Sequence, residues 1–186
     1  MSKSTVLHGS AIGLAQLLAT LVVFALGMHQ TLEGFNNSQM TENVIGFVLL
    51  MVIVSFAHRA FRKDCAARDL PTALLPSVKF AVLLGGVAGL IAGVSQYAYF
   101  AAVNPGIRKL LHEGTLARLK PDFDKLGADG ADDMLRQIDY FTSAGFRGLV
   151  YGMNTLLFTA LLSIAFALIF RASVRRDQVL RKTSGQ

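Results

Sequence analysis

Residues 77–103 read SVKFAVLLGGVAGLIAGVSQYAYFAAV, and the reading of this stretch decides the fold. It carries a single charge, Lys79, two positions inside its start. A bilayer core about 30 Å thick needs roughly 20 residues of helix to cross it. A run of this length therefore spans with turns to spare. Glycines at 85, 89 and 93 recur at every fourth position. That spacing places them on one helical face, and Gln96 and Phe100 continue the line. Lipid tails give helices no hydrophobic reason to associate, so backbones that approach closely at small residues must supply the attraction. The stretch reads as a membrane span with a packing seam.

Working outward, residues 6–28 and 148–170 contain no Asp, Glu, Lys or Arg. Residues 44–57 are apolar but short, so this span, near 43–58, must borrow a turn at each end and let Arg59 and Arg62 snorkel. The chain is 53% apolar and 16% charged, well under the roughly one quarter charged of soluble domains. Because the deficit falls in four blocks, it marks a membrane protein rather than a greasy soluble core. The expected fold is all-α: one integral-membrane domain over 1–186, a four-helix transmembrane bundle with spans near 6–28, 43–58, 77–103 and 148–170. An amphipathic helical outer loop fills 104–147, and a basic tail 171–186. Ala25-Leu26-Gly27 mimics a leader cleavage site, but the first run exceeds a usual leader core and is expected to be retained. The lone Cys65 excludes an internal disulfide and a zinc-finger site.

The net charge of +6 is unevenly distributed. Residues 29–43 hold Glu33 and Glu42 with no Lys or Arg, whereas residues 59–68 and 171–186 are basic. Loops rich in Lys and Arg stay in the cytoplasm, so both termini and the 59–68 loop are expected inside and the other two loops outside. Contact with anionic lipid explains the basic segments without nucleic acid, which is not expected as a partner.

Two further seams follow from helical spacing: Gly9, Gly13, Gln16, Thr20 and Gly27 in the first span, and Gly148, Gly152, Thr155, Thr159 and Ser163 in the last. The second span has none. Helices 1, 3 and 4 should form a tight unit with helix 2 peripheral. The seams are expected to hold one monomer together, and the alternative is a homodimer through the glycine run of the third span. Gln16 and Gln96 lie on seams, while Asn154 points away from its own, which suggests a second interface or a polar cavity.

Pro105 should end the third span, since it cannot donate a backbone bond. Tyr97, Tyr99 and Phe100 are then expected as interface anchors in an aromatic belt. Beyond it, Ile107, Leu110, Leu111, Leu116 and Leu119 recur at helical spacing among charges, predicting an amphipathic helix on the surface or over the bundle. A short helix over about 131–142 should follow. Asp122, Asp124, Gly127 and Asp133 fit positions of a calcium loop, but Leu126 fills a ligand position, so they read as turn and cap residues.

Catalytic chemistry is not evident. No GxSxG, P-loop or HExxH occurs. His29 and Glu33 offer half a metal site at i, i+4, and His58 and His112 read as solvated. No enzyme activity, cofactor or metal is expected.

The run Lys79-Phe80, the glycines at 85, 89 and 93, Tyr97-x-Tyr99-Phe100, Asn104-Pro105 and the later Phe141-Thr142-Ser143-Ala144-Gly145 resemble the bacterial membrane family catalogued as domain of unknown function 4199. The resemblance covers roughly residues 6–172. It implies four spans, a charged helical outer loop and a location in a bacterial inner membrane, and no catalytic residues. The function expected is structural or accessory, through helix, protein or lipid contacts. The alternative is a small-molecule or lipid transport component with a site near Gln16, Gln96 and Asn154.

Overall fold

The computed structural model describes residues 3–67, 74–123, 125–126 and 128–183, and these form helices joined by turns. Four helices are long and apolar enough to cross a membrane. They are α1 (Lys3–Ala25), α2 (Leu32–Ala67), α3 (Leu74–Ala98) and α6 (Ala144–Thr183). Between α3 and α6 stand α4 (Gly106–Phe123) and α5 (Ala128–Thr142), which pair with each other. The all-α architecture of four spans and a helical loop is the one the sequence predicts.

The largest departure is α2. Residues 29–43 are not an outer loop: apart from a tight turn over Met28–Gln30, they build the first three turns of a 36-residue helix. Their spacing explains it. Phe35, Ser38, Glu42, Gly46 and Leu50 fall on one face and are all buried. Gly27, at φ 77°, takes the left-handed conformation that ends α1 and lets the chain reverse at once into α2.

α3 is the central member. It packs on α6 along one face and on α1 along another, while α2 packs on α1 and touches α6 more lightly. Helix 2 is thus not peripheral; it closes the ring. At the α1–α3 contact, a Cβ on Gly13 would lie 2.6 Å from the Ile91 Cβ, and one on Gly9 2.7 Å from that of Val87. Glycine holes on α1 receive branched side chains of α3.

The α3–α6 contact is closer still, because glycines face glycines. A Cβ on Gly89 would lie 2.6 Å from the Gly152 carbonyl oxygen, and one on Gly152 2.8 Å from that of Gly89. Gly93 and Gly148 approach each other in the same reciprocal way, and a Cβ on Gly85 would meet the Leu156 carbonyl at 2.7 Å. The glycine face of α3 packs on α6 of the same chain.

Pro105 ends α3 through a wide turn, Tyr99–Val103, whose last bond runs from the Asn104 N–H five residues back to the Tyr99 carbonyl at 2.8 Å. The expected aromatic belt is corrected here. Tyr97 is 53% exposed, but Tyr99 and Phe100 are 0% and 3% exposed. They stand three and four residues beyond Gln96, on the inward face. The end of the bundle they occupy is covered, because Ile107 and Leu111 of α4 pack on Phe35, Tyr99 and Phe100. The amphipathic helix is therefore a cover over the bundle. His112 of α4 reaches Asp139 of α5 at 3.3 Å, and Ser143 Oγ accepts from the Phe146 N–H at 3.1 Å to cap α6. In the calcium-like run, Asp122 accepts from Lys125 at 3.1 Å, while Asp124 and Gly127 lie outside the described residues.

Replacing Gly89 by Leu should separate α3 from α6, since the new side chain meets backbone that cannot rotate away; a cost above about 1–3 kcal/mol is expected. Gly86 has open space where its Cβ would be, so Gly86→Leu should unfold like the parent. Thermal unfolding in mild detergent, followed by circular dichroism, compares the two.

Candidate functional site

The turn and first coils of α2 bring a polar network into the bundle at the end carrying α4 and α5, here called the hairpin end. Its centre is Glu42, whose side chain is 6% exposed and lies 2.8 Å from the His29 Nε2. His29 sits in the short turn after α1 and is buried to 2% exposure. Its other nitrogen, Nδ1, makes a short hydrogen bond with the Tyr99 hydroxyl. Asn104 Nδ2 donates to the same hydroxyl oxygen at 3.2 Å.

Donor bookkeeping gives the chain a direction. Asn104 donates to the Tyr99 oxygen, so the Tyr99 hydroxyl proton is free to go to His29 Nδ1, leaving Nε2–H to donate to Glu42 Oε1. This tautomer satisfies the Tyr99 hydroxyl, both His29 nitrogens and Glu42 Oε1, and is assigned from the network. Ser38 Oγ lies 2.9 Å from His29 Nε2 and donates to the Phe35 carbonyl at 2.8 Å. On the other carboxylate oxygen, Thr20 Oγ1 donates to Glu42 Oε2 at 3.1 Å, and Gln96 Nε2 donates to Thr20 Oγ1 at 2.6 Å. The Tyr151 hydroxyl reaches Oε2 at 3.5 Å and accepts from Gln39 Nε2 at 3.2 Å. One carboxylate thus ties α1, the turn, α2, α3 and α6 together. An unpaired charge would be expensive this deep in an apolar bundle, which is why its partners come from every neighbouring element.

Tyrosine, imidazole and carboxylate in a line are the parts of a proton relay. A nucleophile, however, needs access. Tyr99 is fully buried beneath α4, and rings of Phe24, Phe35 and Phe100 surround the Tyr99–His29 pair. What the arrangement can do chemically is hold or pass a proton between fixed groups, not receive a substrate at Tyr99.

The predicted site residues divide. Gln96 enters the network, although its Oε1 has no partner among the described residues. Gln16 contributes its backbone carbonyl to Thr20 at 3.2 Å, and its side-chain amide lies against Gly46 of α2. Asn154 is exposed on the outside of α6 and does not join them. Gly9, Gly13, Gly85, Gly89, Gly93, Gly148 and Gly152 line the two helix contacts described above. Glu33 is exposed and is not the partner of His29; Glu42, thirteen residues on, is. No group of three or more His, Cys, Asp or Glu that could hold a metal occurs among the described residues.

His58 is a second correction. Rather than solvated, it is 2% exposed, bonds Ser163 Oγ at 2.7 Å and is ringed by Phe61, Phe80, Phe166 and Phe170. It joins α2 to α6 at the opposite end of the bundle, where Arg62 also lies over the Phe170 ring.

With four spans and the covered network described, the comparison with known proteins is informative. The family model described as "Protein of unknown function (DUF4199)" matches residues 7–172. The chain belongs to this family. No curated protein and no solved structure matches it. In this DUF4199 member, the glycine seams and the Glu42 network lie within the matched region.

Removing one partner of a buried, hydrogen-bonded pair leaves the other uncompensated, at a cost of about 3–5 kcal/mol. Glu42→Ala should therefore destabilise the detergent-solubilised protein by about that amount, and Glu42→Gln by less. Glu33→Gln, at an exposed position, should stay within about 0.5 kcal/mol of the parent. Equal effects of the two Gln substitutions in an unfolding titration would contradict the network.

Proposed function

We propose that this DUF4199 protein is a non-catalytic, accessory component of a bacterial inner membrane, acting through contacts with lipid and protein. One observation carries the reading: His29, Glu42 and Tyr99 at the hairpin end are bonded to one another and covered by α4, while the outer faces of the spans present Leu14, Leu18, Phe47, Leu90, Leu157 and Phe158. A coupled carrier needs an ionisable group that a substrate or ion can reach, and usually a broken helix beside it. Here such groups serve to join helices.

The orientation proposed follows from charge. The basic 59–68 stretch and the tail are retained on the cytoplasmic side with both termini, and the α4–α5 hairpin, of mixed charge, faces outward. If the protein forms a homodimer, the interface lies on lipid-facing surface rather than on the glycine face of α3.

Two measurements test this. In a Cys65→Ser background, Lys109→Cys on the exposed face of α4 should react with a membrane-impermeant maleimide added outside spheroplasts; labelling only after lysis would reverse the topology. Proteoliposomes should pass ions and small solutes no faster than protein-free vesicles. A flux that Glu42→Gln abolishes would replace the accessory reading with a transport one.

A further inference from the structure

One cation in the bundle is left without a counter-charge. Arg147, the fourth residue of α6, is half-buried; its Nε is shut off from solvent with no hydrogen-bond partner, and no ion pair reaches it among the described residues. Its position is unfavourable for a purely structural role. The first turn of a helix carries the positive end of the dipole, which favours acidic side chains, and α6 has none there. A snorkelling arginine turns its guanidinium into water. Here the Nε is enclosed, and only the terminal nitrogens of the guanidinium are left to meet solvent or a ligand.

The depth is informative. The apolar stretch Ala144–Arg171 has 28 residues, about 42 Å of helix at 1.5 Å per residue against a core of about 30 Å. Its first few residues therefore stand at the headgroup level. The exposed rings of Tyr140 and Phe141, packed with Phe146, mark the same level, where aromatic side chains collect. Arg147, Tyr151 and Asn154 share one edge of α6 at i, i+4 and i+7. Tyr151 bonds Gln39 of α2, so this edge borders the lighter α2–α6 contact. Asn154 is exposed there, and so are Asn43 and Phe47 on α2. The edge thus runs from an unpaired cation at the surface, past amides, to bare apolar side chains below.

We infer that the α2–α6 edge at the hairpin end binds an anionic phospholipid, with its phosphate on Arg147 and its acyl chains along the exposed apolar surface beneath. The phosphate supplies the missing counter-charge, and the positive end of α6 adds to its hold. Glu42 does not repel it, since that carboxylate is engaged by His29 and Thr20. A second copy of the chain is the less fitting occupant, because among the described residues this edge offers no exposed acidic side chain to meet another Arg147. The site rests on the accessory reading, but it fails separately: solute flux overturns that reading, whereas the measurements below overturn only the lipid site.

The full chain in dodecylmaltoside is titrated with phosphatidylglycerol, phosphatidylcholine or inorganic phosphate, and bound species are read by native mass spectrometry alongside the thermal midpoint. Phosphatidylglycerol should bind in preference to phosphatidylcholine and raise the midpoint. Arg147→Gln should weaken that binding about tenfold or more while leaving the lipid-free midpoint unchanged. Arg147→Lys should retain part of it. Three results overturn the site: Arg147→Gln binding phosphatidylglycerol like the parent, inorganic phosphate protecting as well as the lipid, or a lipid-free dimer that Asn154→Leu dissolves. Should Arg147→Gln not fold, the parent decides, since equal uptake of the two lipids overturns the site.

Discussion

A carboxylate placed among apolar helices must bring its own partners, and Glu42 is the point from which the hairpin end of this molecule is organised. Its two oxygens draw on His29 and Thr20, and through them on Tyr99 and Gln96. Those bonds explain why the chain turns so tightly after Gly27: His29 must face inward to reach a residue on the next helix at the same depth. They also explain why α4 folds back over the bundle instead of lying apart on the membrane. Ile107 and Leu111 close the apolar ring around Tyr99, keeping water from competing for the hydroxyl.

The rest of the bundle is held by proximity rather than polarity. Between α3 and α6 the glycines meet in pairs, so that carbonyl oxygens of one helix occupy the space a side chain would take on the other. Close approach multiplies weak dispersion contacts, which matter in lipid where hydrophobic transfer contributes nothing to helix association. The two devices divide the work. Glycine contacts set α1, α3 and α6 side by side, and the polar bonds of Glu42 at one end and His58 at the other dock α2 onto them. What neither device satisfies is the Arg147 Nε, which is enclosed without a hydrogen-bond partner among the described residues.

Much of this was legible from spacing alone. Apolar runs with at most one charge, glycines at every fourth position and a proline after an aromatic cluster specify spans, seams and a stop, because each depends only on local geometry and on the thickness of a bilayer. Glu42 was harder to read. Its stretch, TLEGFNNSQMTEN, is polar overall and resembles a loop to any measure of mean hydropathy. The signal was present in the spacing of Phe35, Ser38, Glu42 and Gly46, but a face is recognisable as inward only once a neighbour is known. The same limit applied to His58 and Tyr99, whose partners lie 105 and 70 residues away in sequence.

The sequence by itself determined the number of spans and which faces carry small residues, since the membrane imposes those requirements on every helix separately. Tertiary structure alone decided that His29 pairs with Glu42 rather than Glu33, that the third span spends its glycines on α6, and that Arg147 is left unpaired. The physical reason is that pairing depends on which groups meet at equal depth on adjacent helices, and no single helix contains that information.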